Sequence, residues 1–161
     1  MMTSPSVVRI AKPGDYAEVW RLFLLMHKEN GQFALDGNKV EWFIQRALFP
    51  ERIAPEDTAV RPIIAVIGKQ DDLEAVVGVT VGTAWYTSQR HLEDFILYVD
   101  PECRRSRHAR ALIVWMKQQS DRLGLPLLTG VISTKRTAAK VGLYARLLEP
   151  IGGFFWHSEA A

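Results

Sequence analysis

Four arginines, Arg104, Arg105, Arg107 and Arg110, crowd into seven residues, and guanidinium forks at that density suit a phosphate or pyrophosphate. They lie between two segments of opposite periodicity. Before them, Phe95 to Val99 is a β-branched, aromatic and aliphatic run that Pro101 closes, having no N–H to give a ladder. After them, Ala109, Leu112, Ile113 and Met116 recur at helical spacing until Gly124 and Pro126. Ser106 is placed to cap that helix, so its first free amides face the end of the strand and add the positive end of the helix dipole to the arginines. Cys103 lies in the same run, but no histidine or acid is recognisably paired with it, and it reads as incidental.

The elements that must position this turn follow from the rest of the chain. Val7 to Ala11 is a short strand, broken by Pro13-Gly14-Asp15 before a helix with a capping-box pattern at Asp15 and Glu18. Tyr16, Val19, Trp20, Phe23 and Leu24 form its apolar stripe. Asn38 and Glu41 repeat the cap pattern for a second helix that ends before Pro50, and Glu51 to Val60 is polar connection. Ile63–Ile67 and Ala75–Trp85 read as a hairpin across Gly68-Lys69-Gln70-Asp71-Asp72, with the strand ending at Val99 third in the run. Leu127–Ile132 follows the basic helix as a strand with short connections, which suggests a parallel crossover. Thr137–Leu148 is a last helix, and Gly153–His157 supplies one closing strand. The expected class is therefore α/β in the sense of a mixed α+β sheet, with order β-α-α-β-β-β-α-β-α-β.

This order, together with the basic turn, resembles the GNAT superfamily of acetyl-CoA-dependent N-acetyltransferases. Its cofactor loop reads Q/R-x-x-G-x-G/A at the start of the helix after the fourth strand; Arg104 matches the first position and Ala109 the last. Arg107 stands where the family has Gly. A glycine there lets the backbone approach the pyrophosphate closely, so Arg107 leaves two readings: a displaced cofactor held by added charge, or a loop that binds none. The likeness covers residues 7–157, taken as one GNAT-like domain between a flexible residue 1–6 segment and a 158–161 tail, and it is closest in type to compact proteins of bacteria and bacteriophages.

The resemblance implies site residues. Leu97, Tyr98 and Val99 would offer backbone amides to the pantetheine and thioester, and Arg104, Arg105, Ser106, Arg107, His108 and Ala109 would hold the pyrophosphate, with Arg136 and Lys140 near the phosphates. Tyr144, in Val141-Gly142-Leu143-Tyr144-Ala145, resembles the family's Leu-Tyr motif, whose tyrosine gives a proton to the thiolate; the rival role is a core aromatic. Glu93 and Asp94 open the strand from which relatives draw a general base, and alternation lets at most one of them face the site. His91 is a further base candidate. The acceptor would meet Gln32, Phe33, Leu35 and Asp36 and the strand end at Trp85 and Tyr86, whereas Trp20, Trp42 and Trp115 sit at core spacing. Acetyl-CoA is the implied co-substrate, with no metal; a small-molecule or protein amine is the acceptor, and homodimers are common among the proteins it resembles.

Composition fits one globular domain: 161 residues, 48% hydrophobic and 24% charged. The net charge of +2 with a pI of about 8.8 is mild, so charge matters where it clusters. The single cysteine excludes an internal disulfide and, with only four histidines, argues against structural zinc; a reducing cytoplasm, or host cytoplasm for a phage protein, fits. No apolar run approaches the roughly 20 residues of a membrane span. Two further functions use the same residues. One is a GNAT-fold binding module that has lost catalysis, prompted by Arg107. The other is nucleic-acid binding through Arg104 to Arg110, against which stand the small net charge and the lack of a stacking aromatic beside the cluster.

Overall fold

The computed structural model describes residues 5–55 and 61–158. Part of the polar connection expected at Glu51 to Val60, most of the residue 1–6 segment and all but Ser158 of the tail lie outside them. The described elements are β1 (Arg9–Ile10), α1 (Tyr16–Asn30), α2 (Gly37–Leu48), β2 (Ile63–Lys69), β3 (Asp72–Thr83), β4 (Arg90–Val99), α3 (His108–Leu123), β5 (Leu127–Leu128) and α4 (Thr137–Leu147). Five strands lie in the order β1-β2-β3-β4-β5. Neighbours are antiparallel except β4 and β5, which run parallel across α3 as the short connections require.

The sheet is covered on both faces. On one, Val19, Leu22 and Phe23 of α1 and Ile44 and Leu48 of α2 pack on Ile64, Val66, Val76, Ile96 and Tyr98. On the other, Leu112, Ile113, Trp115 and Met116 of α3, with Leu143 and Tyr144 of α4, pack on Ala65, Val77, Leu92, Leu97 and Val99. Both Leu92 and Leu97 face α3 although five positions apart, because β4 carries a bulge: Gly78 pairs with Ile96 and Val79 with Asp94, leaving Phe95 over. Phe95 and Ile96 consequently both point toward α1 and α2, where Phe95 meets Phe23 and Phe43 at centroid distances of 6.4 and 4.8 Å. Gly78 makes this possible, since a Cβ there would collide with the Phe95 ring.

Several local expectations are corrected. Asp36, in extended conformation, caps α2 by accepting from Asn38 N and Lys39 N, so Asn38 is inside the helix and Glu41 is released to accept from Tyr16 OH and Trp20 Nε1. Asp15 does not cap α1; its carboxylate accepts from both arms of Arg9 and from Lys12 N, while Glu18 pairs with Arg21. The closing strand at Gly153–His157 is absent: residues 148–158 carry no helix or strand. With β5 reduced to two residues, the edge offers no ladder long enough to fix it.

Candidate active site

β4 and β5 pair only at Leu92 with Leu127 and Glu93 with Leu128. Beyond that point they diverge, and a cavity of about 710 Å³ opens between Asp94–Val99 on one side and Gly130–Ile132 on the other, closed by the start of α3 and by α4. Asp100 N donates to Glu74 O on β3 at 2.8 Å. Alternation therefore turns the amides of Leu97 and Val99 toward the opening, and Arg104 Nε reaching Val99 O at 3.4 Å marks the same side. Leu97, Tyr98 and Val99 all line the cavity.

The basic turn divides. Arg107 and Arg110, with Arg136 at the head of α4, line the cavity, are exposed, and have no carboxylate partner among the described residues. Arg136 reaches its place in a left-handed conformation, φ 55°, the one non-glycine residue with positive φ among those described. Arg104 also lines the cavity, but its guanidinium is paired with Glu29 of α1 and touches Tyr98 OH. Burial alone would raise the Glu29 carboxyl; hydrogen bonds from Arg104 and Tyr98 outweigh it and hold the group below the usual range. Burial and the same Glu29 push the Tyr98 phenol up to about 12. Lys140 Nζ donates to Ser133 Oγ at 2.7 Å and Asn30 Oδ1 at 3.2 Å, tying α4 to the end of α1.

Two loop residues point elsewhere. His108 is fully buried, its Nε2 2.6 Å from Glu74 Oε2 and its Nδ1 2.9 Å from Ser6 Oγ; as the first residue of α3, on the face packed against the sheet, it is turned away from the cavity. Arg105 is exposed and outside the lining. Ser106 is in the lining, and its Oγ accepts from His108 N at 3.2 Å, although Arg107 holds the N-cap position. Ala109 also lines the cavity. Cys103 lies outside it, its thiol pushed up to about 11 by burial and the Glu74 charge.

Glu93 and Asp94 are separated as alternation demands. Glu93 leaves the cavity and meets His91 Nε2 at 2.9 Å. Asp94 faces in, where Thr129 Oγ1 donates to its Oδ1 at 2.7 Å and Gly130 N–H adds a second bond. Burial wins over these bonds, and the Asp94 carboxyl stands above its ordinary range. Tyr144 is half-buried in the same wall, near Asp94 and Thr129; burial and then the Asp94 charge raise its phenol, so it stays protonated through neutral pH. Thr129, Glu29, Asn30 and Ser133 were not singled out in the sequence. A threonine beside Gly130 at the end of a short strand is the one local sign that Thr129 offered.

Gln32 and Phe33 line this cavity and also a second one of about 330 Å³ under the α1–α2 loop, where Leu35 and Asp36 join them. Trp85 and Tyr86, expected with them, meet edge to face in the open, 96% and 75% exposed and outside both cavities.

The sequence matches no family model and no curated protein. Solved structures do match. A GCN5-related N-acetyltransferase from Ralstonia eutropha JMP134 superposes with a TM-score of 0.67 at 19% identity, over 96% of this chain and 99% of that one. A ribosomal-protein-alanine N-acetyltransferase from Brucella melitensis biovar Abortus 2308 gives 0.65 at 14% identity over 96% and 99%. An aminoglycoside acetyltransferase from an uncultured soil metagenomic sample gives 0.64 at 13% identity over 100% of both chains. This chain has the GNAT fold.

Arg107 has φ −95° and ψ 14°, a conformation open to any L-residue, so the loop does not require glycine for its backbone. The residues present fit a nucleotide thioester: an apolar wall of Leu97, Val99 and Leu143, outward amides on β4, the first-turn amides of Ala109 and Arg110 in α3, and Arg107, Arg110 and Arg136 at the rim. No grouping of histidine, cysteine and carboxylate suited to a metal occurs among the described residues.

Proposed function

We propose that the chain is an acetyl-CoA-dependent N-acetyltransferase acting on an amine, with residues 7–157 as its catalytic domain and Asp94, Thr129 and Tyr144 as its proton path. The observation that carries this is the convergence of Asp94, Tyr144 and a rim of Arg107, Arg110 and Arg136 on the one cavity between diverging β4 and β5. When bound, acetyl-CoA supplies the thioester carbonyl as electrophile and its sulfur as leaving group.

The incoming ammonium gives one proton to solvent, and Asp94, its carboxyl held above the ordinary range by burial, takes a second from nitrogen as the C–N bond forms. The outward amides of Leu97 and Val99 are donors for the carbonyl oxygen as charge develops on it. Tyr144 gives its phenolic proton to the sulfur as the C–S bond breaks. A phenol raised above its usual value of about 10 is a poor acid toward a thiolate near 8.5. Part of that elevation comes from the Asp94 charge, and Asp94 has lost the charge once it holds the proton from nitrogen. Deprotonating the amine therefore makes Tyr144 a better acid for the next step. Through the Thr129 hydroxyl the Asp94 proton then replaces the one lost by Tyr144, so the proton removed from nitrogen balances the one delivered to sulfur.

A cytoplasmic setting belongs to this reading; among the described residues no helix is long and apolar enough to cross a membrane. Incubation with acetyl-CoA and an amine panel, following thiol release together with the mass of the acetylated amine, tests it. An amide product formed at a rate that falls in Tyr144→Phe supports the reading. Acetyl-CoA binding with no product from any amine would make the chain a binding module instead.

A further inference from the structure

The second cavity shares Met26, Gln32, Phe33, Phe95 and Ile96 with the first, so it adjoins the place where β4 and β5 part. It exists because of the bulge at Phe95, which turns two consecutive β4 side chains toward α1 and α2. Its walls are apolar: Phe23, Phe33, Leu35, Val40, Phe43 and Phe95. Its volume of about 330 Å³ is at the small end of pockets that bury a small organic ligand.

The polar side chains in the wall are four, His27, Gln32, Asp36 and Lys39. Asp36, the one carboxylate there, accepts from the amides of Asn38 and Lys39 in the first turn of α2. His27 Nε2 lies 2.7 Å from Phe33 O. Lys39 adds a positive charge. A polycation entering here would lose water, meet a single carboxylate that already caps a helix, and face the like charge of Lys39. A peptide would find few partners for its backbone amides.

We infer that the acceptor is a small primary amine carrying a compact apolar body, an arylalkylamine or branched alkylamine, and that this cavity holds the body while the amine reaches Asp94. The inference rests on the acetyltransferase reading and names its substrate class. Chemistry favours the same choice: an ammonium drawn into an apolar site has its own pKa lowered, which produces the neutral nucleophile that transfer needs.

The test compares 2-phenylethylamine and tryptamine with spermidine, kanamycin and a short peptide with N-terminal alanine, by kcat/KM from thiol release, in the parent protein and in Leu35→Asp and Val40→Trp. Leu35 is on the surface loop, 40% exposed, so Leu35→Asp leaves the core intact; acetyl-CoA affinity and melting temperature check the fold of both variants. The expected result is kcat/KM at least about tenfold higher for the arylalkylamines than for the three comparators, a preference narrowed by Leu35→Asp, which adds a second acid to the apolar wall, and abolished by Val40→Trp, which fills the cavity. Equal or better turnover of spermidine, kanamycin or the peptide overturns the inference while leaving the acetyltransferase reading in place. Should acetyl-CoA fail to bind, the acetyltransferase reading falls by itself, and direct calorimetric titration of 2-phenylethylamine decides the pocket: binding that disappears in Val40→Trp sustains it, and no binding overturns it.

Discussion

Thr129 Oγ1 lies 2.7 Å from Asp94 Oδ1, which joins the middle of β4 to the residue after β5 at the point where the two strands separate. That bond holds the carboxylate at the inner end of the cavity and next to Tyr144, and it makes the opening of the sheet and the chemistry one feature.

A general base must be ionised to work. Since burial holds Asp94 above the ordinary carboxylate range, kcat/KM should fall on the acid side at a pH above about 4, the usual aspartate region, as Asp94 takes up its proton. Asp94→Asn is expected to lower kcat/KM by about 10²-fold or more and to remove that limb from the pH profile. Acetyl-CoA affinity should be unchanged. An acid limb that persists in Asp94→Asn would assign the base elsewhere.

Tyr144→Phe should lower kcat by roughly 10²–10³-fold, again with little change in acetyl-CoA affinity. The coupling of the two groups has its own signature. Removing the Asp94 charge removes one cause of the raised phenol, so in Asp94→Asn the Tyr144 hydroxyl should ionise at lower pH than in the parent. The ultraviolet tyrosinate difference between each protein and its Tyr144→Phe counterpart measures this, and an unchanged or higher value would break the proton path.

The proposed site predicts phosphate recognition by the arginines that line the cavity, Arg107 and Arg136 among them, rather than by the whole run. Arg107→Ala and Arg136→Ala should each weaken acetyl-CoA binding by about tenfold, with an affinity that declines as salt rises. Arg105→Ala, outside the cavity, should leave it unchanged. Equal losses in all three would point to a diffuse basic field instead of a site.

The fold was legible because periodicity and punctuation agree along the chain: Pro101 ends β4, Gly124 ends α3, and the apolar stripes of α1 and α3 each find their own face of the sheet. The cavity wall was legible at Leu97, Tyr98, Val99, Arg107, Asp94 and Tyr144, by strand alternation and likeness of motif. What escaped depends on pairings distant in sequence. Arg104 is met by Glu29, 75 residues away, and His108 by Glu74, 34 away, so a loop that reads as uniformly exposed and basic in fact contributes one buried ring and one neutralised guanidinium. The capping patterns misled at Asn38 because Asp36 is a competing cap two residues earlier, and local propensity does not choose between them.

Stability toward acid should depend on the Arg9–Asp15 pair, which fastens β1 to the turn before α1. The Asp15 side chain is 1% exposed and that of Arg9 31%. Burial alone would raise the Asp15 carboxyl; the Arg9 fork and Lys12 N–H outweigh it and leave the folded value depressed. A depressed folded pKa gives stability that is complete above the unfolded value, near 3.9, and is lost as pH falls through the folded value. Asp15→Asn should cost about 2–4 kcal/mol near neutral pH, because it leaves a half-buried guanidinium without its partner, and should flatten the acid side of the stability profile. Chemical denaturation of both proteins at pH 7 and pH 3 checks this; equal stability at pH 7 would show the pair to be unimportant.

The central claim, that the gap between β4 and β5 is an acetyl-CoA site despite Arg107 in the glycine position, is met most directly by isothermal titration calorimetry of the purified protein with acetyl-CoA, with desulfo-CoA and adenosine 3′,5′-bisphosphate as comparators. The account predicts saturable binding in the micromolar range, weaker for the bisphosphate fragment, which reaches only the basic rim. No detectable heat together with an unchanged melting temperature would contradict it and leave a GNAT fold without its cofactor.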